Sequence, residues 1–112
     1  MRPEARAYLH DIERAAVLID QFRQGRSFDD YLSDALLRSG VERQLEIIGE
    51  AVNNLSRIDP ATAAALTGRR RIIALRNILI HGYATIDDRV IWNIIERDVP
   101  SLQAEVRVLL AA

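Results

Sequence analysis

The chain has 112 residues, of which 49% are hydrophobic and only 5% aromatic, and its formal net charge at pH 7 is −1. This length predicts one domain, residues 1–112, with a single core built from aliphatic side chains. The near-zero charge argues against a protein that coats nucleic acid through a global positive field. The absence of cysteine excludes disulfides, thiolate catalysis and sulfur-ligated metals.

Targeting and metal signals are also lacking. No apolar run approaches the roughly 18 residues that a bilayer-spanning helix needs, and the charged N-terminus lacks the apolar block of a signal peptide. We therefore predict a cytoplasmic protein without a membrane partner. Its two histidines form no His-x3-His spacing, so neither a metal nor another cofactor is predicted. His10 has no partner pattern and is predicted to be a surface or structural residue.

The positive charge of the chain is carried by arginine alone, with 15 copies and no lysine. Four of these arginines lie between Gly68 and Ile86, a stretch without a carboxylate, and three of them, Arg69, Arg70 and Arg71, are consecutive. Such a local cationic patch suits transient contact with a phosphate backbone, which makes these three residues candidates for RNA binding. A solvated, basic helix start explains the same pattern, and charge alone does not decide between the two.

Apolar residues spaced by three and four predict an all-α, up-and-down bundle of four main helices with shorter ones between them. No segment alternates with a period of two for long enough to predict a strand. The predicted main helices span residues 3–23, 33–56 and 69–81, and a fourth begins at residue 87 or 88. A short helical turn is predicted at 27–34 and a short helix at 61–66. Residue 100 either ends the fourth main helix or begins a last one.

Local signals mark where these helices begin and end. Ser27 and Asp30 have the spacing of a capping box. Asp59 and Pro60 are typical of an N-cap and a first helical position. Gly40 makes a break near the beginning of the 33–56 helix possible.

Arginine, asparagine, histidine and tyrosine lie close together in one helix-like run, at Arg76, Asn77, His81 and Tyr83. Arginine is a permanent cation suited to holding phosphate, and histidine takes and gives protons near neutral pH. Together they suffice for metal-free cleavage of RNA, in which the 2′-hydroxyl of the substrate is the nucleophile. A histidine in the last turn of a helix, followed by a glycine cap, also has a purely structural explanation.

Helix geometry limits how these residues can act together. Asn77 and His81 are four apart and share a face, so Asn77 can orient the imidazole or help to hold a phosphate. Arg76 and His81 project about 140° apart. They converge on one substrate only if the helix ends at His81, if the Arg76 side chain curls round, or if a second subunit completes the site. Gly82, as the C-terminal cap, favours the first of these.

The run Arg76-Asn77-x3-His81-Gly82-Tyr83 resembles the Arg-x4-His-x-Tyr signature of HEPN-domain toxins of the HepT type. Two further segments are similar to the same family, in the same order along the chain. They are residues 41–51, which read Val-Glu-Arg-Gln-Leu-Glu-Ile-Ile-Gly-Glu-Ala, and residues 87–100, which contain Val90, Trp92, Asn93, Ile94 and Ile95. The resemblance covers nearly the whole chain.

This resemblance implies a compact HEPN-like bundle that homodimerises, with the motif helices of two subunits lining a shared cleft. It implies a metal-independent endoribonuclease, the toxin of a type VII-like toxin–antitoxin module, that acts on RNA and not on DNA. Arg76 and His81 would be catalytic, with Asn77 in support. The antitoxin would be a nucleotidyltransferase of the MntA type, which neutralises the toxin by transferring AMP to Tyr83.

Two other readings of the chain stay open. A non-catalytic HEPN module could bind a nucleotide or serve as a docking subunit of a nucleotidyltransferase, since resemblance in fold does not establish catalysis. A purely structural homodimer leaves the accumulation of arginines beside His81 unexplained.

The 33–56 helix carries features with both structural and functional explanations. Glu42, Glu46 and Glu50 step by four, and we expect a solvated face, with pairing to the arginines of the motif helix as the alternative. Gly49 in mid-helix costs roughly 1 kcal/mol relative to alanine, which close packing against another helix, within the chain or across a dimer, would explain. In the next helix, Trp92 is predicted to be a core or interface anchor and not a base-stacking platform.

Overall fold

The computed structural model describes residues 1–82 and 86–112, and these residues form helices without any strand. The predicted all-α class is therefore confirmed. In chain order the helices are α1 (Pro3–Arg23), α2 (Phe28–Ser33), α3 (Ala35–Ile58), α4 (Pro60–Ala63), α5 (Arg69–His81), α6 (Asp88–Asn93) and α7 (Val99–Ala111), with a π-helical turn, Ile94–Asp98, that joins α6 to α7.

The two longest helices, α1 and α3, pack against each other at the centre of the bundle. α5 packs on α3, α7 packs on α1, and the short α2 contacts α3 and α6. Each buried aliphatic side chain contributes roughly 1.5–3 kcal/mol, so the apolar stripe of α3 decides which of its faces turns inward. That stripe lies in the core as predicted and consists of Val41, Leu45, Ile48, Val52 and Leu55. None of the described helices combines the length and the apolarity of a membrane span.

Side-chain caps fix the beginnings of α2 and α3. Ser27 Oγ accepts a hydrogen bond from the Asp30 N–H (3.1 Å) and Asp30 Oδ2 accepts one from the Ser27 N–H (2.8 Å), which confirms the predicted capping box. α3 begins at Ala35, later than predicted. The reason is that Asp34 caps it, with Oδ1 accepting from the Leu37 N–H at 3.1 Å.

Gly40 does not interrupt α3, so the break considered there is wrong. The helix continues through it from residue 35 to residue 58. Gly40 faces the ring of Phe22 in α1, where an added Cβ would lie 3.3 Å from Cε2. A glycine inside a helix costs about 1 kcal/mol, which is less than the gain from burying Leu37 and Val41 beside it.

α4 is shorter than the predicted 61–66 helix. It begins at Pro60, where Asp59 caps it by accepting from the Thr62 N–H at 3.2 Å, and it ends at Ala63. Beyond it the Leu66 N–H donates to the Ala63 carbonyl at 2.9 Å, a bond of the tighter 3₁₀ type. This tighter turn ends with Leu66 buried in the core.

The π-helical turn lies directly before Pro100, which belongs to the first turn of α7. The Val99 N–H donates to the Ile94 carbonyl, five residues earlier, which is the π pattern. Pro100 has no N–H to donate to the Glu96 carbonyl, so the α-helical bond at this point is absent in any case. The wider turn therefore keeps α6 and α7 continuous across the proline.

α5 ends at His81, and its predicted bounds are confirmed. Gly82 adopts φ +70°, a conformation that favours glycine, and its N–H donates to the Ile78 carbonyl at 3.3 Å. The predicted glycine cap is therefore confirmed as well. Tyr83 lies outside the described residues.

Candidate active site

One face of α5 packs on α3 and the opposite face is exposed. The exposed face carries Arg70, Asn77 and His81. At 100° per residue these three side chains leave the helix within about 40° of one another. The buried face consists of Ile72, Leu75 and Leu79.

Arg76 lies at the edge of the buried face, directly against Gly49 of α3. A Cβ added to Gly49 would lie 2.8 Å from Arg76 Cγ, closer still to Arg76 Cβ, and 3.2 Å from the Ile72 carbonyl oxygen. Only glycine allows the two helices to approach so closely. The prediction that Gly49 permits close helix packing is thus confirmed, and its partner is a helix of the same chain.

The Arg76 guanidinium contacts Asn77, which lies on the exposed face of α5. Its Nη1 donates to Asn77 Oδ1 at 3.1 Å. Its Nε is buried and has no hydrogen-bond partner within the described part of the chain. Because Asn77 lies one turn before His81 on the same face, the Asn77 contact brings the arginine charge to the side of α5 that presents the histidine.

The structure shows two of the conditions considered for convergence of Arg76 and His81, and the convergence itself stays a prediction. α5 ends at His81, whose side chain is exposed in the last turn. The Arg76 side chain curls round to Asn77. The third condition, completion by a second subunit, stays a prediction.

The arginine run at the start of α5 makes several contacts. Arg69 is half-buried and its Nη1 donates to the Leu66 carbonyl at 3.4 Å. Arg71 Nε lies 3.3 Å from Asp98 Oδ2, which ties α5 to the π-helical turn. Arg70 is exposed. The role of these residues in RNA binding stays a prediction.

The carboxylates of α3 do not pair with the motif helix in the described part of the chain, so that alternative is wrong. Glu46 Oε2 lies 3.4 Å from Arg43 Nη1 of its own helix, and Glu50 is exposed. Glu42 is half-buried, and burial and then the charge of Asp88 raise the pKa of its carboxyl group. The predicted solvated face therefore describes Glu50 best.

Trp92 is buried, and its ring centroid lies 5.5 Å from that of Tyr31 and 6.2 Å from that of Phe28. Its predicted role as a core anchor is confirmed. His10 is exposed on α1, as predicted. Among the described residues, no three His, Asp or Glu side chains form a group that could hold a metal ion.

Comparison with known proteins gives consistent results. A family model described as ribonuclease HepT-like matches residues 12–109. The chain is 35% identical to a probable ribonuclease HepT of Thermococcus cleftensis, over 97% of this chain and 98% of that protein. It is 32% identical to a candidate RNase of Methanocaldococcus jannaschii, over 95% and 96% of the two chains. It is 35% identical to a candidate RNase of Caldanaerobacter subterraneus, over 94% and 93%. No solved structure matches the chain significantly.

Proposed function

Because the chain belongs to the HepT-like ribonuclease family, we propose that it is a metal-independent endoribonuclease and the toxin of a type VII-like two-gene module. Arg76 and His81 are its catalytic residues, and Asn77 supports them. The contacts of Arg76 carry this proposal: Gly49 fits against the stem of the side chain, and Asn77 draws the guanidinium to the face of His81.

The reaction uses the 2′-hydroxyl of the RNA as the nucleophile. The His81 imidazole takes the proton of this hydroxyl, and the 2′-oxygen attacks the neighbouring phosphorus. The P–O2′ bond forms, the P–O5′ bond breaks, and the leaving 5′-oxygen takes a proton from an imidazolium. The products are a 2′,3′-cyclic phosphate and a 5′-hydroxyl. A positioned acid or base of this kind contributes about 10²–10⁴-fold to the rate.

Arg76 stabilises the extra negative charge that develops on the phosphorane-like transition state. Its stem is packed against α3 and its charge is half-buried, so the guanidinium is held in place before the reaction begins. A preorganised donor in a site with little water is worth more than the same donor in bulk solvent. Removing one such donor costs about 10²–10³ in rate.

A second copy of the chain completes the site. Ile78 and Ile80 of α5 are 44% and 46% exposed, so the motif helix presents apolar side chains beside its polar ones. A two-fold interface that covers them would bring two α5 helices together around one cleft. The two His81 copies could then act as base and acid in the same reaction.

The antitoxin is a nucleotidyltransferase of the MntA type that modifies Tyr83. The Tyr83 hydroxyl attacks the α-phosphorus of ATP, a phosphodiester to AMP forms and pyrophosphate leaves. The new phosphate lies two residues from His81 along the chain. We expect this added phosphate to compete with a phosphate of the RNA for Arg76.

RNA cleavage in excess EDTA tests the proposal. Purified wild type, with Tyr83 shown to be unmodified by mass spectrometry, is compared with His81→Ala. His10→Ala serves as the matched control, because His10 is an exposed histidine outside the site. We expect cleavage that falls at least about a hundredfold in His81→Ala and is unchanged in the control.

The chemical nature of the product ends decides the mechanism. Ends with 2′,3′-cyclic phosphate and 5′-hydroxyl support attack by the 2′-oxygen, whereas 3′-hydroxyl and 5′-phosphate ends would exclude it. Absence of cleavage in every protein, across several RNAs, would favour the non-catalytic docking or nucleotide-binding module.

A further inference from the structure

A groove of about 820 Å³ opens between the start of α5 and the start of α7, at the end of α5 opposite His81. Four arginines and two carboxylates line it, which leaves a formal charge of +2. The arginines come from two separate elements, α5 and the π-helical turn. They are Arg69, Arg70, Arg71 and Arg97.

Both carboxylates of the groove are already engaged. Asp98 pairs with Arg71 at 3.3 Å. Glu105 Oε2 accepts from the Thr67 hydroxyl at 2.9 Å and from the Thr67 N–H at 3.3 Å. In the part of the chain that the structure describes, no ion pair involves Arg70 or Arg97. Arg69 also has no ion pair there, but it is half-buried and its Nη1 donates to the Leu66 carbonyl. Arg70 and Arg97 are both exposed, so they are the cations of the groove most open to an anion from outside.

The groove is in line with the candidate active site. Arg70 and His81 are eleven residues apart on one helix, so they leave it in nearly the same direction, about 16 Å apart along its axis. Asn77 lies between them on the same exposed face. A strand that places one phosphate at His81 and runs along this face reaches the groove several nucleotides away.

We propose that the groove is a second anchoring site for the RNA substrate, which binds a phosphate of the single-stranded backbone remote from the bond that is cut. This inference rests on the proposed ribonuclease function. Arg70 and Arg97 bind the phosphate through paired N–H donors, a geometry that guanidinium offers and ammonium does not. A cationic groove that follows the backbone is how proteins hold single strands without reading their sequence.

The anchoring site makes substrate length matter. A dinucleoside monophosphate occupies the cleft at His81 and is too short to reach the groove. A single-stranded dodecamer reaches both. Loss of the two anchoring arginines of the groove should therefore raise KM for the dodecamer and leave cleavage of the dinucleoside monophosphate unchanged.

Fluorescence anisotropy of a labelled RNA dodecamer tests this inference independently of catalysis. Binding is measured with His81→Ala protein, which keeps the RNA intact, with and without Arg70→Ala and Arg97→Ala together. The control pair, Arg14→Ala and Arg43→Ala, removes the same charge from exposed arginines that do not line the groove. We expect the groove variant to bind about tenfold more weakly and to lower the slope of log K against log salt by about 1.

The experiment distinguishes failure of the anchoring site from failure of the proposed ribonuclease function. Equal affinity and equal salt slope in the groove and control variants would overturn the anchoring site, even if the wild type cleaves RNA. A specific loss of binding in the groove variant supports it, even if the wild type cuts no RNA and the proposed activity fails. A KM increase that is the same for the dinucleoside monophosphate and the dodecamer would also overturn it.

Discussion

Gly49 determines how closely Arg76, the proposed catalytic arginine, can pack on α3. A hydrogen atom in place of a side chain lets α5 approach α3 until the Arg76 stem fills the space above the glycine. From that position the guanidinium reaches Asn77, and its Nη1 donates to Asn77 Oδ1. If Arg76 is catalytic as proposed, Gly49 is a positioning residue that acts on the reaction through Arg76.

Gly49→Ala should reduce RNA cleavage by about a hundredfold, because a displacement of the order of 1 Å in a catalytic group costs that much. Overpacking of this kind costs about 1–3 kcal/mol of stability, partly offset by the gain of about 1 kcal/mol from alanine in a helix. Cleavage kinetics and thermal unfolding monitored by circular dichroism provide the two readouts.

Gly40→Ala is the matched control in the same helix. Its added methyl would meet only the ring of Phe22, a side chain that can shift, so activity should stay at the wild-type level. In an Arg76→Ala background, Gly49→Ala should cause no further loss of cleavage. Wild-type cleavage by Gly49→Ala alone would refute the positioning role.

At the residue scale, the spacing of residues along the sequence reveals only part of the candidate site. The Arg76-x4-His81 motif and the unusual mid-helix Gly49 are local features, so the sequence displays them directly. Arg97 has no such signal, because it joins the arginines of α5 only through tertiary packing. The direction of the Arg76 guanidinium also depends on α3, which spacing along α5 does not contain.

Among the elements, α1 and α5 were the most predictable. Pro3 lies in the first turn of α1 and Gly82 follows the last turn of α5, and both signals act within a few residues. The beginning of α3 was less predictable, because Ser33 and Asp34 are both good caps and only packing selects Asp34. The π-helical turn could not be predicted, since it depends on Pro100 together with the burial of its neighbours in the core.

The cap of α3 predicts a pH dependence of stability. The bond from the Leu37 N–H, followed by the one from the Arg26 guanidinium, holds the pKa of Asp34 below its ordinary value. The stabilisation that the ionised Asp34 carboxylate contributes is therefore fully present above its unfolded-state pKa of about 4. It is lost as pH falls through the lower folded-state pKa. We expect Asp34→Ala to lower Tm at pH 7 and to flatten the acid side of a Tm profile from circular dichroism.

Asp34→Asn separates the cap from its charge. Asparagine still accepts the Leu37 N–H, so this variant should keep more of its Tm at pH 7 than the alanine variant and should lose less on acidification. Asp20→Asn, in an exposed position inside α1, should leave the profile unchanged. A steeper acid loss in Asp34→Asn than in wild type would contradict the assignment.

At the scale of the whole molecule, the chain is a bundle with one conspicuous asymmetry. α5 buries one face on α3 and leaves its functional face open, with two half-exposed isoleucines beside it. The family resemblance already implied a second subunit at this face.

Mixing inactive variants tests a shared cleft. Arg76→Ala and His81→Ala proteins are each expected to be inactive, and subunit exchange between them should restore cleavage above either parent and below wild type. The reason is that the mixed dimer contains one intact copy of each catalytic residue. The measurement is RNA cleavage before and after subunit exchange. Light scattering establishes from the molecular mass whether each sample is monomeric or dimeric.

Ile78→Glu supplies the control for this exchange. A charge in the proposed interface should produce monomers and prevent restoration when it is added to either parent. Val108→Glu changes an apolar residue that is 71% exposed on α7 and should have neither effect. Mixtures that never exceed the more active parent, although dimers form and exchange, would rule out a site composed of both subunits.

The π-helical turn has a consequence for how related chains diverge in length. Such a turn holds one residue more than an α-helical turn, so it is equivalent to a single-residue insertion in a continuous helix. A relative that lacks this residue would close the turn to α geometry while keeping the same face of α7 against α1. The turn also contains Arg97. We therefore expect a relative that lacks one residue here to hold the fourth arginine of the groove in a different position and, on the proposed function, to differ in substrate preference.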